Sequence, residues 1–155
     1  MKALRLLPLA ALLTLSAPVF AGPVDVTARP VPAHNDAGRT TWDAQSNLDV
    51  LGRYLKRLGT EFLRPDQVLK IEILDVDLAG TDIGGGRPRV ITGGADWPKI
   101  RLRYTLETPG QPVRSGEELV QDMNYTRGLT GVRNDPLHYE KRMLRAWFRE
   151  RFANV

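Results

Sequence analysis

Asp75 and Asp77 stand two residues apart in the stretch ILDVDLAG, residues 73–80, whose other members are apolar or small. Two carboxylates at that spacing suit three roles: ligands for a metal, acid and base on a glycan, or the wet side of a sheet. A calcium loop needs a fixed series of oxygen ligands and a distal glutamate, and DVDLAGTD lacks that pattern. Glycosidases hold two carboxyls ~5 Å apart, or somewhat wider, in environments that separate their pKa values. Successive outward side chains of one strand lie ~7 Å apart, and two exposed ones share an environment. The wet-face role asks only for cations opposite. Arg101 and Arg103, on a later strand, can supply them as cross-strand ion pairs contributing roughly 0–1 kcal/mol each.

Parity along this strand supports the wet face. Leu69, Ile71 and Ile73 share one side, whereas Leu74, Val76 and Leu78 share the other. A bulge at Ile73-Leu74 resolves the conflict, because an extra residue lets all six apolar side chains face the core. Lys70, Glu72, Asp75 and Asp77 then turn outward.

Other catalytic parts are scarce. The chain has no cysteine, which excludes disulfides and thiol chemistry, and only two histidines, His34 and His138, far apart in sequence. Neither Ser46 nor Ser115 lies in a Gly-x-Ser-x-Gly elbow. Gly84, Gly85 and Gly86 invite a phosphate-loop reading, but no Gly-Lys-Ser/Thr follows and no helix starts there. No metal and no cofactor is therefore expected.

The segment DPLHYEKRMLRAWFRERF, residues 135–152, carries the other candidates. At about 100° per residue, Leu137, Leu144, Trp147 and Phe148 form an apolar face with Met143 at its flank. His138, Arg142, Arg145 and Arg149 form a basic stripe, read either as a solvated helix face or as a dock for an anionic partner. Glu140 falls inside the apolar face, where a carboxylate must find a cation or bear the cost of desolvation. Arg133 and Arg151 are its expected partners, and a recessed functional carboxylate is the alternative.

The elements that position these residues follow from periodicity. Val24, Val26 and Ala28 alternate as a first strand, closed by Pro30 and Pro32. From Trp42 or Asp43, Leu48, Leu51, Leu55, Leu58 and Phe62 step by three and four as a helix, which Gly59 weakens and Pro65 stops. A second strand spans about Val68 to Leu78, a glycine-rich loop follows with a short strand at Arg89 to Thr92, and Lys99 to Glu107 alternates cleanly. TPGQP turns the chain into a strand from Val113 to about Tyr125, bulged near Gly116. Asp135 and Pro136 suit the N-cap and first turn of a last helix ending near Phe152. The order β-α-β-(β)-β-β-α predicts an α+β fold. A mixed, largely antiparallel sheet of four to five strands carries two helices on one face, and its first two strands are set parallel by the crossover.

Residues 1–21 read as a signal peptide. Lys2 and Arg5 precede an apolar run from Leu6 to Leu15, too short to span a bilayer, and VFA suggests cleavage after Ala21. Without Lys2 and Arg5, 22 basic residues become 20 against 18 acidic, so the net charge falls from +4 to +2. That balance and export argue against nucleic acid as a partner. The mature domain, residues 22–155, is expected to be periplasmic or secreted.

The blocks LKIEILDVDLAG, DWPKIRLRYTLE, SGEELVQDMNY and YEKRMLRAWFRERF cover most of Leu69 to Phe152. In combination they resemble domain of unknown function family 3016, small bacterial proteins with signal peptides. The resemblance implies export and the domain boundaries, and brings no catalytic or binding residues. That family tends to carry an aromatic-x-Asp element after its first strand, of which Asn35-Asp36-Ala37 is the remnant here. The expected function is a non-enzymatic periplasmic module of the cell envelope. Its partner is an envelope protein or anionic polymer, met by Asp75, Asp77, Arg101 and Arg103 on the sheet or by Glu140, Arg142, Arg145 and Arg149 on the last helix. The alternatives are a carboxylate-dependent envelope enzyme acting on glycans and a peripheral binder of anionic surfaces.

Overall fold

A computed structural model describes residues 23–84, 87–127 and 135–153 of the chain. The expected signal peptide and Arg133 lie outside the described residues. Four strands and two helices follow in the order β1 (Val24–Ala28), α1 (Thr41–Phe62), β2 (Val68–Asp77), β3 (Lys99–Glu107), β4 (Arg114–Gln121) and α2 (His138–Phe152). They form one sheet in the order β1-β2-β3-β4. Strand β1 runs parallel to β2, and the remaining pairs are antiparallel. Both helices pack on one face of this α+β sheet. The core lies between, with Leu48, Leu51, Leu55 and Leu58 of α1 and Leu144, Phe148 and Phe152 of α2 meeting Leu69, Ile71, Ile73, Ile100, Leu102 and Leu106.

Helix α1 begins one residue before the expected start because the Thr40 hydroxyl accepts from the Asp43 N–H at 3.0 Å. Gly59 plays a different part from a weak helix end. A Cβ built there would lie 1.9 Å from Val24 Cγ2, so glycine is what lets β1 lie against α1. The β2 bulge falls where parity places it: Ile73 pairs with Leu102 and Asp75 with Arg101, and Leu74 is left without a partner. Leu69, Ile71, Ile73, Val76 and Leu78 reach the core, whereas Leu74 is buried but lies outside that cluster.

Three expectations change. The short strand at Arg89 to Thr92 is only a bridge between Thr81 and Val90. The expected bulge at Gly116 is absent, since β3 and β4 pair in unbroken register. Gly116 instead admits Tyr104, whose ring would stand 3.0 Å from an added Cβ. Helix α2 starts at His138 with Leu137 as N-cap. Asp135 acts earlier, accepting from the Leu137 N–H at 3.0 Å while holding Lys141 Nζ at 2.8 Å.

Gly59→Ala should lower stability by about 1–3 kcal/mol through overpacking, against a helix-propensity gain of ~1 kcal/mol. The loss should shrink in a Val24→Ala background. Urea denaturation of both backgrounds measures this, and a Gly59→Ala variant more stable than wild type would contradict the packing.

Candidate functional site

The outer face of the sheet is a lattice of charge that largely satisfies itself. Arg103 bridges Glu72 at 3.0 Å and Glu117 at 2.9 Å, and Lys70 reaches Glu107 at 2.8 Å. Asp77 pairs with Lys99 at 2.7 Å. Asp75 accepts two hydrogen bonds from Asn35, one from the backbone N–H and one from Nδ2, both at 2.8 Å. The expected pairing of Arg101 and Arg103 with the aspartates is therefore not the arrangement observed. The bulge sets Arg103 opposite Glu72, and Asn35 occupies both oxygens of Asp75. Arg101 lies opposite Asp75 in register, yet its side chain makes no hydrogen bond or ion pair with a described residue. Among the described residues no cluster of three or more metal-ligating side chains occurs.

Asn35 reaches Asp75 because its loop continues the sheet where β1 stops. The Asp36 N–H donates to Val76 O and the Leu78 N–H to Asp36 O, both at 2.9 Å, which covers the exposed edge of β2. Asp36 in turn holds Arg89, whose NH2 group lies 2.6 Å from the carboxylate. The same guanidinium hydrogen-bonds the carbonyls of Leu78, Ala79 and Gly80.

Glu140 closes this network from the other side. It is 1% exposed, and its Oε1 accepts from the Ala79 N–H at 2.7 Å. Its Oε2 is buried without a partner among the described residues. Burial pushes its pKa above the usual carboxylate range, opposed by the Ala79 hydrogen bond and the charge of Arg89. Arg151, one expected partner, instead pairs with Glu118 at 3.0 Å. Glu118 also accepts from Trp147 Nε1 at 2.9 Å, on the helix side of the sheet and away from Asp75 and Asp77. The carboxylates thus do not converge in one cleft.

The basic stripe of α2 is mostly neutralised. Arg142 turns back to Asp122 at 2.9 Å and to Tyr125 O at 2.6 Å, tying α2 to the end of β4. Arg145 makes a two-pronged pair with Glu61 and lies over the Phe62 ring, 5.3 Å from its centroid. Arg149 is exposed and unpaired among the described residues.

Among the described residues the outer edges of β1 and β4 have no strand partner, and the β4 edge lies beside α2. The Asp122 N–H donates to Pro98 O at 3.3 Å. The alternation of an antiparallel ladder therefore turns the backbone groups of Ser115, Glu117, Leu119 and Gln121 away from β3. Between this edge and α2 runs a groove of about 660 Å³, lined by Leu119 and Val120 of the strand and by Met143, Ala146 and Trp147 of the helix. Leu119 is 43% exposed on its rim. Trp147 is held by Glu118 and by edge contacts with Tyr104 and Phe152, at centroid distances of 6.1 and 5.3 Å, so one wall is rigid. Periodicity placed Trp147 correctly in the apolar face of α2. The groove was not readable, because it exists only where a register-defined edge meets that helix.

The family model described as "Protein of unknown function (DUF3016)" matches residues 22–150, and the chain belongs to that family. No curated protein and no solved structure matches the chain.

Glu140→Gln keeps the acceptor for the Ala79 N–H and removes the titration. Because the folded pKa of Glu140 is raised, the native state binds the proton more tightly and wild-type stability falls as pH rises above the unfolded carboxylate value. Stability of Glu140→Gln relative to wild type should therefore increase between about pH 4 and pH 7. Denaturation of both proteins across that range checks it, and a constant difference would contradict a raised pKa.

Proposed function

We propose that this DUF3016 member is a non-enzymatic interaction module of the cell envelope, working in the periplasm after removal of residues 1–21. It receives an extended segment of a partner protein along β4. The observation that carries this reading is the open backbone edge at Ser115, Glu117, Leu119 and Gln121 beside the groove lined by Met143, Ala146 and Trp147. Strand addition supplies main-chain hydrogen bonds, and such a groove takes alternate side chains of the added strand. The exposed Leu119 and Met123 border the same end of the strand. The groove is lined by polar and charged side chains as well, Gln121, Asp122, Asn124, Arg127, Arg142 and Glu150, which suits a peptide whose apolar residues alternate with charged ones.

Two features weigh against an enzyme. Asp75 and Asp77 are engaged by Asn35 and Lys99, and Glu140 does not line this groove. No helix among the described residues is long and apolar enough to cross a membrane.

Leu119→Pro tests the reading, because it removes an N–H that points away from β3 and leaves the β3–β4 ladder intact. Peptides selected from a random displayed library against the mature wild-type chain should lose about tenfold or more in affinity for Leu119→Pro, equivalent to ~1.4 kcal/mol, with the melting temperature nearly unchanged. Selected peptides that bind the variant equally well, or a library that yields no binder, would overturn strand addition.

A further inference from the structure

We propose that the solvent side of α1 around Arg53 is a second binding site, one for phosphate-type oxyanions. Arg53 forms the shared wall of two shallow clefts. One, of about 400 Å³, runs between α1 and the β1 edge and is lined by Arg29, Gln45, Asp49, Arg53 and Lys56 among others. The other, of about 320 Å³, lies between α1 and α2 and is lined by Val50, Arg53, Tyr54, Arg57 and Lys141. Together the two linings bring five cations against one carboxylate, Asp49, whose Oδ1 already accepts from Gln45 Nε2 at 3.0 Å.

These cations are poorly compensated from within the fold. The side chains of Arg53 and Lys56, in the middle of α1 and exposed, make no hydrogen bond or ion pair with any described residue. Arg57 rests its guanidinium over the Tyr54 ring, 4.8 Å from the centroid, and feels the charge of Glu61, which Arg145 already holds. Arg29 has only a distant carboxylate, Glu72 at 3.8 Å. Lys141 is held by Asp135 at 2.8 Å, which makes it the one firmly paired cation of the set. Arg53, Lys56 and Arg57 stand three and four apart on one helix, so their like charges repel. An anion bound between them relieves that repulsion. Contrast with α2 sharpens the placement: there Arg142 and Arg145 are drawn into pairs with Asp122 and Glu61, whereas the α1 cations are left facing solvent.

The chemistry favours a compact oxyanion. Guanidinium forks match phosphate oxygens in two-pronged geometry, and two clefts on either side of one arginine suit linked phosphate groups. Phosphate can arrive as a soluble ion or as a lipid headgroup. Among the described residues the exposed large apolar side chains are Trp42, Ile83, Val90, Val113, Leu119 and Met123, and none of them lines either cleft. The two clefts themselves therefore lack the apolar wedge by which surface helices enter a bilayer, and Trp42, on the same side of α1, stands about three turns away at the helix start, which favours the soluble source.

Calorimetric titration of the mature chain with inorganic tripolyphosphate at physiological salt tests the site, with sedimentation on phosphatidylglycerol vesicles as the second arm. Saturable tripolyphosphate binding is expected, weakened about tenfold or more in Arg53→Gln and Arg57→Gln and left within about twofold in the α2 control Arg149→Gln. Absence of saturable binding, or equal binding by Arg53→Gln and wild type, would overturn the proposal. So would vesicle binding without tripolyphosphate binding, since that assigns the surface to lipid.

Discussion

One extra residue in β2 governs how the whole sheet presents itself. Without the bulge at Leu74, the apolar positions before and after it would lie on opposite faces, and half of them would meet water. With it, Ile73 and Val76 both reach the core while Glu72 and Asp75 both face outward. Burying an aliphatic side chain is worth roughly 1.5–3 kcal/mol, so misplacing Val76 and Leu78 would cost two such increments. That outweighs the loss of one ladder pairing at the bulge. The register that follows sets Arg103 opposite Glu72 and Lys99 opposite Asp77, and from it the ion-pair lattice of the outer face follows.

The lattice matters for function chiefly because it removes candidates. A strand with two aspartates invites a catalytic or metal reading, yet Asp75 anchors Asn35 and Asp77 holds Lys99. The same economy operates at the end of β2. Glu140 binds the Ala79 N–H, and Arg89 binds the neighbouring carbonyls and Asp36, so backbone that leaves the sheet beside the core is satisfied from both sides. Among the described residues, the outer edge of β4 and the cations of α1 keep unmet hydrogen-bonding or charge demand, beside the single buried oxygen Oε2 of Glu140.

Periodicity in the chain made much of this legible. The leucine spacing of α1, the alternation of β3 and the parity slip in β2 each report which face a side chain takes, and those faces are as observed except at Leu74, the bulged residue, which is buried outside the core cluster. Partners were not legible, because they depend on register and on loops without periodicity. Asn35, Asp36 and Arg89 sit in polar or glycine-rich segments that local pattern treats as connectors, yet they hold the end of β2. The α2 wheel shows where Arg142 and Arg145 emerge, not that Asp122 and Glu61 wait for them. Gly59 and Gly116 illustrate the same limit: local propensity reads a weak helix and a bulge, whereas tertiary packing needs the absent Cβ at both positions.

Interstrand nuclear Overhauser contacts between β2 and β3 in the labelled protein test the central constraint most directly. The bulged register requires backbone contacts of Glu72 with Arg103 and of Asp75 with Arg101, with Leu74 lacking an opposite partner. An unbroken ladder, with Leu74 opposite Arg101 and Asp75 opposite Ile100, would contradict it, and with it the assignment of the charged outer face to structure rather than to a site.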